Sequence, residues 1–491
     1  MAVTNLYDVV VVGAGSAGCA LAHRLSADPA VSVALVEAGG SDERASIRVP
    51  NRYFSNWDTD VDWRHVSTPQ SGTADRIHKL PRGRVLGGTS SINGMVYLRG
   101  AASDYDRWAA AGCVGWDWPS VRSAFEELEE CLRPAVLDPL NELSQAMVEA
   151  GAQAGFPRRS TFDDGTLEGV GWNRSTILAG ERMSAHQAFV APIRKRPNLH
   201  VLPGMRVLRL ALDGSRATGV VVRRDDGVSE TLGAGEVIVS AGAFDSPRLL
   251  MLSGIGPADE LERVGIAPVA DLPVGRNLID HLLIGVVFNC RRPISDVNAY
   301  CTEGCLFARS AAGREECDLE ISFATTPHFA PVLNDGVPRF TIIPGITRPK
   351  SRGTVRLTAA EPDAPLAIDP NYFSHPDDMR AMIQGVRLSR TLAGQPALAE
   401  WNGGEHFPGV ETESDDVIAR YVERDVSTWF HPVGTCRMGT GADAVVDPAL
   451  RVHGIAGLRV ADASIMPDIV SVNTNAASIM IGWRAGDLVL G

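Results

Sequence analysis

The residues from Tyr7 to Glu37 constrain the fold more than any other part of the chain. An apolar run, Val9–Val12, leads into Gly13-x-Gly15-x-x-Gly18; a helical pattern follows, and a second apolar segment ends on Glu37. Val9–Val12 has the length and β-branching of a strand buried on both faces, as in a parallel sheet. Gly13 allows a tight turn, Gly15 lets backbone approach a pyrophosphate, and Gly18 lets the next helix pack on the strand. Ala17, Ala20, Leu21 and Leu25 recur at helical spacing, so the helix that opens at Ser16 and Ala17 aims its N–H groups and dipole at the phosphates. Glu37, followed by Ala38, lies about 20 residues past the last glycine, where an acid accepts hydrogen bonds from a ribose diol. This pattern predicts a dinucleotide-binding βαβ unit and leaves NAD and FAD both open.

A chain of 491 residues has room for two or three domains. Its net charge of -13 argues against a nucleic-acid partner, which needs clustered Lys and Arg. No apolar run approaches the roughly 18 residues of a membrane span, so no transmembrane segment is expected. The first strand starts too close to Met1 for a signal peptide, and the expectation is a cytoplasmic protein. Cys19, Cys113, Cys131, Cys290, Cys301, Cys305, Cys317 and Cys436 form no CxxC pair. Cys301 and Cys305 are neighbours, but no His or second Cys pair completes a zinc pattern, so reduced thiols and no metal are expected.

Pro81–Gly100 reads PRGRVLGGTSSINGMVYLRG. Its small residues offer N–H groups and hydroxyls to something flat and polar; alone, it also reads as a glycine-rich surface loop. With DYDRW at Asp104–Trp108, the segment resembles the first signature of the glucose–methanol–choline (GMC) oxidoreductases. EVIVSAGAFDSPRLLMLSGIGP at Glu236–Pro257 resembles the second: a buried strand, Val237–Ser240, runs into Gly242 and a helix that Ser246-Pro247 could start. LPVGRNLIDH at Leu272–His281 is similar to the bridge by which the family leaves its FAD domain, and His281 reads as structural.

The resemblance implies an α/β fold: a Rossmann-like FAD-binding domain and a second α+β substrate domain built on an antiparallel sheet. The expected FAD-binding segments are 1–158, 200–290 and 446–491, and the substrate domain takes 159–199 and 291–445. Helices are expected at Trp116–Cys131, opened by Pro119, at 141–155, near Pro376–Leu392 and at Asp415–Asp425. Strand-like segments at Leu319–Thr325, Arg339–Ile343 and Gly353–Leu357 suit a sheet that roofs the flavin. The alternating strand Leu199–Leu212 contains Val207, whose backbone is matched to the adenine. By the same resemblance Arg84, Leu86, Gly87, Gly88, Ser91, Ile92, Asn93, Gly94 and Val96 lie against the flavin and pyrophosphate. Asp462 sits beside the pyrophosphate or ribitol, Asn475 and Ala476 approach the flavin through their backbone, and Ala241, Gly242 and Ala463 complete the cofactor set. Ile92 stands where some members carry a histidine bonded to the flavin, so the FAD is expected to be non-covalent.

WFHPVGTCRMG at Trp429–Gly439 resembles the family segment whose histidine, here His431, faces the flavin N5. SVNTNAASIMIG at Ser471–Gly482 places Asn473 at the position of its partner, and Trp483 where many relatives carry an acid. Hydride loss from an alcohol is easier once the hydroxyl proton is leaving, which calls for a base in hydrogen-bond reach, and histidine suits that role. His431 is therefore the expected base and Asn473 the donor to the oxygen, with Trp429 and Phe430 as substrate neighbours. The expected reaction is oxidation of a small primary alcohol to the aldehyde, with oxygen or a quinone or dye as final acceptor; a hydroxynitrile lyase-like activity is the alternative. A quaternary ammonium would favour an aromatic cage, and at 6% aromatic residues the balance leans to a neutral aromatic, furanic or aliphatic alcohol.

Overall fold

A computed structural model describes residues 3–298, 302–328 and 335–491. Cys301 lies outside them. Val3–Val12 is the centre of a seven-stranded sheet, parallel to Val33–Val36 on one side and to Ser229–Val239 on the other. Leu199–Leu202 extends the first edge, Leu458–Val460 also pairs with Ser229–Val239, and an antiparallel meander, Met205–Asp213 and Arg216–Arg224, completes the second. Val9–Val12 is buried throughout because neighbouring strands and helices leave it no solvent face. The predicted single strand Leu199–Leu212 is in fact two, broken at Gly204, whose φ of +68° turns the chain.

The helices Ser16–Leu25 and Asn475–Leu490 pack closely against each other beside this sheet. A Cβ on Gly482 would lie 2.1 Å from the Ala17 carbonyl oxygen, so only glycine permits this approach. Trp483 seals the same contact: it stacks on His23 with centroids 5.7 Å apart, lies under the Arg24 guanidinium and donates from Nε1 to Glu127. Packing thus accounts for the indole.

The second sheet has eight strands and is antiparallel, running Asn402–Phe407, Val286–Cys290, Arg339–Ile346, Leu319–Ala324, Gly304–Ala308 and Gly169–Trp172, with Leu282–Leu283 and Ser427–Thr428 alongside. Glu142–Gln153, Pro376–Ala393 and Asp415–Asp425 back it and share its apolar core. Its two central strands are buried at every residue.

Several sequence boundaries move. Leu282–Leu283 and Val286–Cys290 join the second sheet although 200–290 was expected in the FAD-binding half, and Glu142–Gln153 packs on the second core although it falls within 1–158. Conversely, the hairpin Thr354–Leu357 and Leu366–Asp369, inside 291–445, buries Val355 and Ile368 in the first core. The helix expected to start at Ser246-Pro247 already begins at Gly242 and runs to Leu252. Pro247 inside it can donate no N–H, and Thr435 Oγ1 donates instead to the Ala243 carbonyl at 2.6 Å. Among the described residues no helix is long and apolar enough to cross a membrane, and no group of three or more His, Cys, Asp or Glu is placed to hold a metal ion.

Candidate functional site

One elongated cavity runs between the two sheets, from Glu37, Ala38 and Val207 at one end to His431 and Asn473 at the other. Gly13, Gly15, Ser16 and Ala17 line it where the first strand meets its helix, and Gly88, Ile92, Asn93, Gly94 and Val96 line it from the glycine-rich loop. Ala241, Gly242, Asp462, Ala463 and Asn475 complete the wall between the ends, with Trp429 and Phe430 beside His431.

The remaining predicted cofactor residues stand behind this wall. Gly18 touches the turn itself: a Cβ there would lie 1.9 Å from the Gly13 carbonyl oxygen. Gly87, at φ +86°, donates its N–H to Ala14 at 2.7 Å, and Leu86 donates to Gly40 at 3.0 Å, which fastens the loop to the first βα turn. Ser91 Oγ donates to the Leu86 carbonyl at 2.7 Å. Arg84 lies over the Trp63 ring and lowers the pKa of Glu37 by its charge. Ala476 is buried one residue into the last helix.

Three helix N-termini, at Ser16, Gly242 and Asn475, converge on the cavity, and Ser16 Oγ donates to Asn475 Oδ1 at 2.6 Å. Such ends favour negative charge. At Gly242 that demand is met internally: Asp462 accepts from the Gly242 N–H at 2.8 Å, Ser246 Oγ at 2.5 Å and the Ser464 N–H at 2.8 Å. Glu37 accepts from the Ala14 and Gly39 N–H groups at 2.9 and 2.8 Å. Burial nonetheless pushes its carboxyl up to about 7. Each of its oxygens retains a lone pair for a further donor.

At the far end Asn473 Nδ2 lies 3.3 Å from His431 Nε2, while Asn473 Oδ1 is buried without a partner. Trp429 stacks on the His431 ring, with centroids 5.8 Å apart and planes at 19°. Burial first, then the neighbouring His281 and Arg82, drives the His431 pKa well below its ordinary value, so the ring is neutral at pH 7. Phe430, immediately before it, has φ +64°, a conformation that bulky side chains avoid. The strained turn is held from both sides: the Phe430 N–H donates to Thr428 Oγ1 at 2.7 Å, and Arg82 Nη2 donates to the Phe430 carbonyl at 2.6 Å.

Sequence reasoning missed the residue that organises this turn, Asp280. Its Oδ1 accepts from the His431 backbone N–H at 2.8 Å, and its Oδ2 from Thr428 Oγ1 at 2.6 Å and Tyr372 O–H at 2.7 Å. His281, read from the sequence as structural, has its Nδ1 3.0 Å from His431 Nδ1. The paired acid and imidazole in LIDH were the available signal. The cavity mouth is aromatic: Tyr53 and Phe54 have centroids 4.0 Å apart, Phe54 and Trp57 4.7 Å, and Trp57 and Phe430 4.8 Å.

The cavity fits an extended dinucleotide on its own geometry. Glycines stand where a side chain would fill it, as at Gly94, where a Cβ would meet nothing within 4 Å; three helix ends point in, and an orphaned amide oxygen, Asn473 Oδ1, lies at the His431 end.

Family models described as GMC oxidoreductase match residues 7–283 and 349–482. An alcohol dehydrogenase (acceptor) from Pseudomonas putida is 38% identical, with 99% of this chain and 96% of that protein covered. An oxygen-dependent choline dehydrogenase from Brucella canis is 39% identical, over 99% and 95%. A crystal structure of pyridoxine 4-oxidase from Mesorbium loti superimposes with a TM-score of 0.92 at 34% identity, covering 98% of each chain. None of these three is named as a lyase.

Proposed function

The chain belongs to the GMC oxidoreductase family, as an FAD-dependent enzyme that oxidises CH–OH groups, and from that premise we propose that it converts a small neutral aromatic or furanic primary alcohol to the aldehyde beside His431 and Asn473. The observation that carries this reading is the 3.3 Å contact between Asn473 Nδ2 and His431 Nε2 in the cavity wall. An alcohol oxygen seated against both passes its proton to His431 Nε2 and accepts from Asn473 Nδ2. The amide donates without competing for the proton, so it stabilises the charge that gathers on oxygen. His431 is neutral, so one of its ring nitrogens keeps a lone pair to take the proton. FAD, when bound, supplies the acceptor for the hydride that leaves the carbinol carbon.

Gly13, Gly15, Ser16, Ala17, Glu37, Ala38 and Val207 are assigned to the ADP half of FAD, and Ile92 to Val96 with Asn475 to the flavin half. Ile92 offers no nucleophile, which supports non-covalent binding; after acid precipitation the yellow colour belongs in the supernatant. The seven described cysteines are unpaired, which supports a reducing, cytoplasmic setting. The substrate class rests on the apolar lining near His431: Tyr53, Phe54, Trp57, Leu283 and Ile343 share the cavity wall, a surface that suits a flat neutral ring. Because an aromatic cluster also suits a quaternary ammonium, choline stands in the test beside the aromatic alcohols.

The test is anaerobic flavin bleaching with benzyl alcohol, hydroxymethylfurfural, pyridoxine and choline, repeated with oxygen and with a dye. The aromatic alcohols should reduce the flavin fastest, and preference for choline overturns the substrate class. His431→Ala should slow reduction by about 10²–10⁴-fold. A loss of less than about tenfold removes His431 as the base.

A further inference from the structure

The geometry points to His281 as the positioning residue that holds His431 in its Nδ1–H tautomer, leaving the Nε2 lone pair turned to the substrate. This rests on the reading of His431 as the base and deepens it. His281 is fully buried where the bridge segment enters the second sheet. Its Nε2 lies 3.0 Å from the Thr347 carbonyl oxygen. A carbonyl can only accept, so His281 Nε2 carries a proton. A neutral imidazole has one N–H, which leaves His281 Nδ1 bare. The group 3.0 Å from that bare nitrogen is His431 Nδ1, which must therefore donate. His431 is neutral in its turn, so its single proton is spent on this bond and Nε2 is the free base, facing the Asn473 amide N–H.

His281 must be neutral for this hydrogen-bond chain to form. The surrounding groups oppose one another: Asp104 and the carbonyls of Thr347 and Val470 favour a cation, whereas burial and Arg348 disfavour it. Burial is the largest of these influences and holds the His281 pKa at about 3. A protonated His281 would donate from both nitrogens, turn His431 Nδ1 into an acceptor and place the His431 proton on Nε2, where it blocks the alcohol. The Thr347 carbonyl is itself fixed, because the Thr347 N–H donates to Asp318 at 2.9 Å. The chain of hydrogen bonds thus runs from a strand end of the second sheet, through two imidazoles, to the reacting atom. It also settles the orientation of Asn473, since only its NH₂ can face a bare nitrogen.

Nitrogen NMR of the holoenzyme carrying ring-¹⁵N histidine tests the tautomer without reference to turnover. The His431 signals are those missing from His431→Gln, and they should show a protonated Nδ1 and a bare Nε2; a protonated Nε2 overturns the inference. In parallel, His281→Ala and His281→Gln are compared for FAD content and for anaerobic flavin reduction. With FAD content retained, His281→Ala should lower the limiting rate about 10²-fold or more with little change in alcohol affinity, as loss of the tautomer-setting partner does in hydrolytic triads. His281→Gln, whose amide oxygen can still accept from His431 Nδ1, should recover at least tenfold of that loss. If His431→Gln is slow while His281→Ala keeps the wild-type rate and pH profile, this inference falls and the base assignment stands. If His431→Gln itself keeps its rate, the base assignment has failed instead.

Discussion

Gly345 lies directly beneath the Trp429 ring: a β-carbon built on it would fall 2.0 Å from Cζ3 of the indole. The same ring stacks on His431, so a backbone position in the roof strand sets the placement of the proposed base through one intervening side chain. Gly345→Ala must move the indole. We expect a loss of about 1–3 kcal/mol of stability from overpacking. We expect flavin reduction to slow by at least about tenfold, because a shift of about 1 Å at the reacting groups costs on the order of 10²-fold. Thermal unfolding and anaerobic stopped-flow check the two effects. An alanine variant with wild-type reduction kinetics would show that the Trp429–His431 stack does not position the imidazole.

Gly88 and Gly94 separate backbone strain from cofactor contact. Gly88 has φ +53°, and a Cβ there would lie 2.7 Å from Gly15 Cα, where the two glycine loops meet. Gly88→Ala should therefore unfasten the loops, giving colourless protein with a lowered melting temperature. At Gly94 a Cβ meets nothing within 4 Å and the site lines the cavity. Gly94→Ala should leave the stability of FAD-free protein within about 0.5 kcal/mol of wild type, as for surface changes, while weakening FAD binding about tenfold. Unchanged FAD affinity, measured by fluorescence titration, would remove Gly94 from the flavin half.

Asp280 should behave as a structural hub with a kinetic signature. Burial pulls its pKa above the usual carboxylate value, against hydrogen bonds from Thr428, Tyr372 and His431 and the charge of Arg82. Asp280→Asn replaces one acceptor oxygen by an NH₂ that faces a donor. An unsatisfied buried group of this kind costs about 1–3 kcal/mol. The melting temperature should fall, and flavin reduction should slow more than FAD binding weakens, since the lost bonds anchor the turn that carries His431. Equal melting temperatures for variant and wild type would contradict the hub.

The parts of this site that could be read in the sequence are those dictated by local backbone chemistry. Gly13, at φ +100°, and Gly18, with no room for a Cβ, stand at fixed spacing between a strand and a helix, and that spacing is visible in the letters. His431 and Asn473 were singled out through their surrounding segments, and the structure brings them to 3.3 Å of each other. Asp280 was passed over, and His281 was read only as structural, because both make their contacts with His431, 151 and 150 positions away. The same limit moved the domain edges. Val286–Cys290 is a strand by its own composition, but its choice of sheet is decided by pairing with Arg339–Ile346 and Asn402–Phe407. Thr435 illustrates the point in miniature: nothing near it in sequence announces that it satisfies the carbonyl freed by Pro247.

Glu320 gives the pH dependence of stability a defined sign. It is buried in the roof strand Leu319–Ala324, where Ser322 Oγ donates to its Oε1 at 2.9 Å, and burial pushes its carboxyl up to about 7. The folded pKa is raised above the ordinary value of 4.5, so the folded state binds the extra proton. The contribution of Glu320 is therefore fully present below pH 4.5 and is lost as the pH rises through about 7. A gap of this size corresponds to at most about 3.5 kcal/mol, at roughly 1.4 kcal/mol per unit. Glu320→Gln keeps the acceptor for Ser322 and removes the titration. The variant should match wild type near pH 4, within about 0.5 kcal/mol, and become the more stable of the two as the pH rises from 4.5 through about 7, with a higher midpoint in urea at pH 8.5. Parallel stability curves for the two proteins from pH 5 to 8.5 would mean that this carboxyl is already ionised in the folded protein at the acid end. The polar patch behind the cavity roof would then be charged rather than neutral at the pH of the reaction.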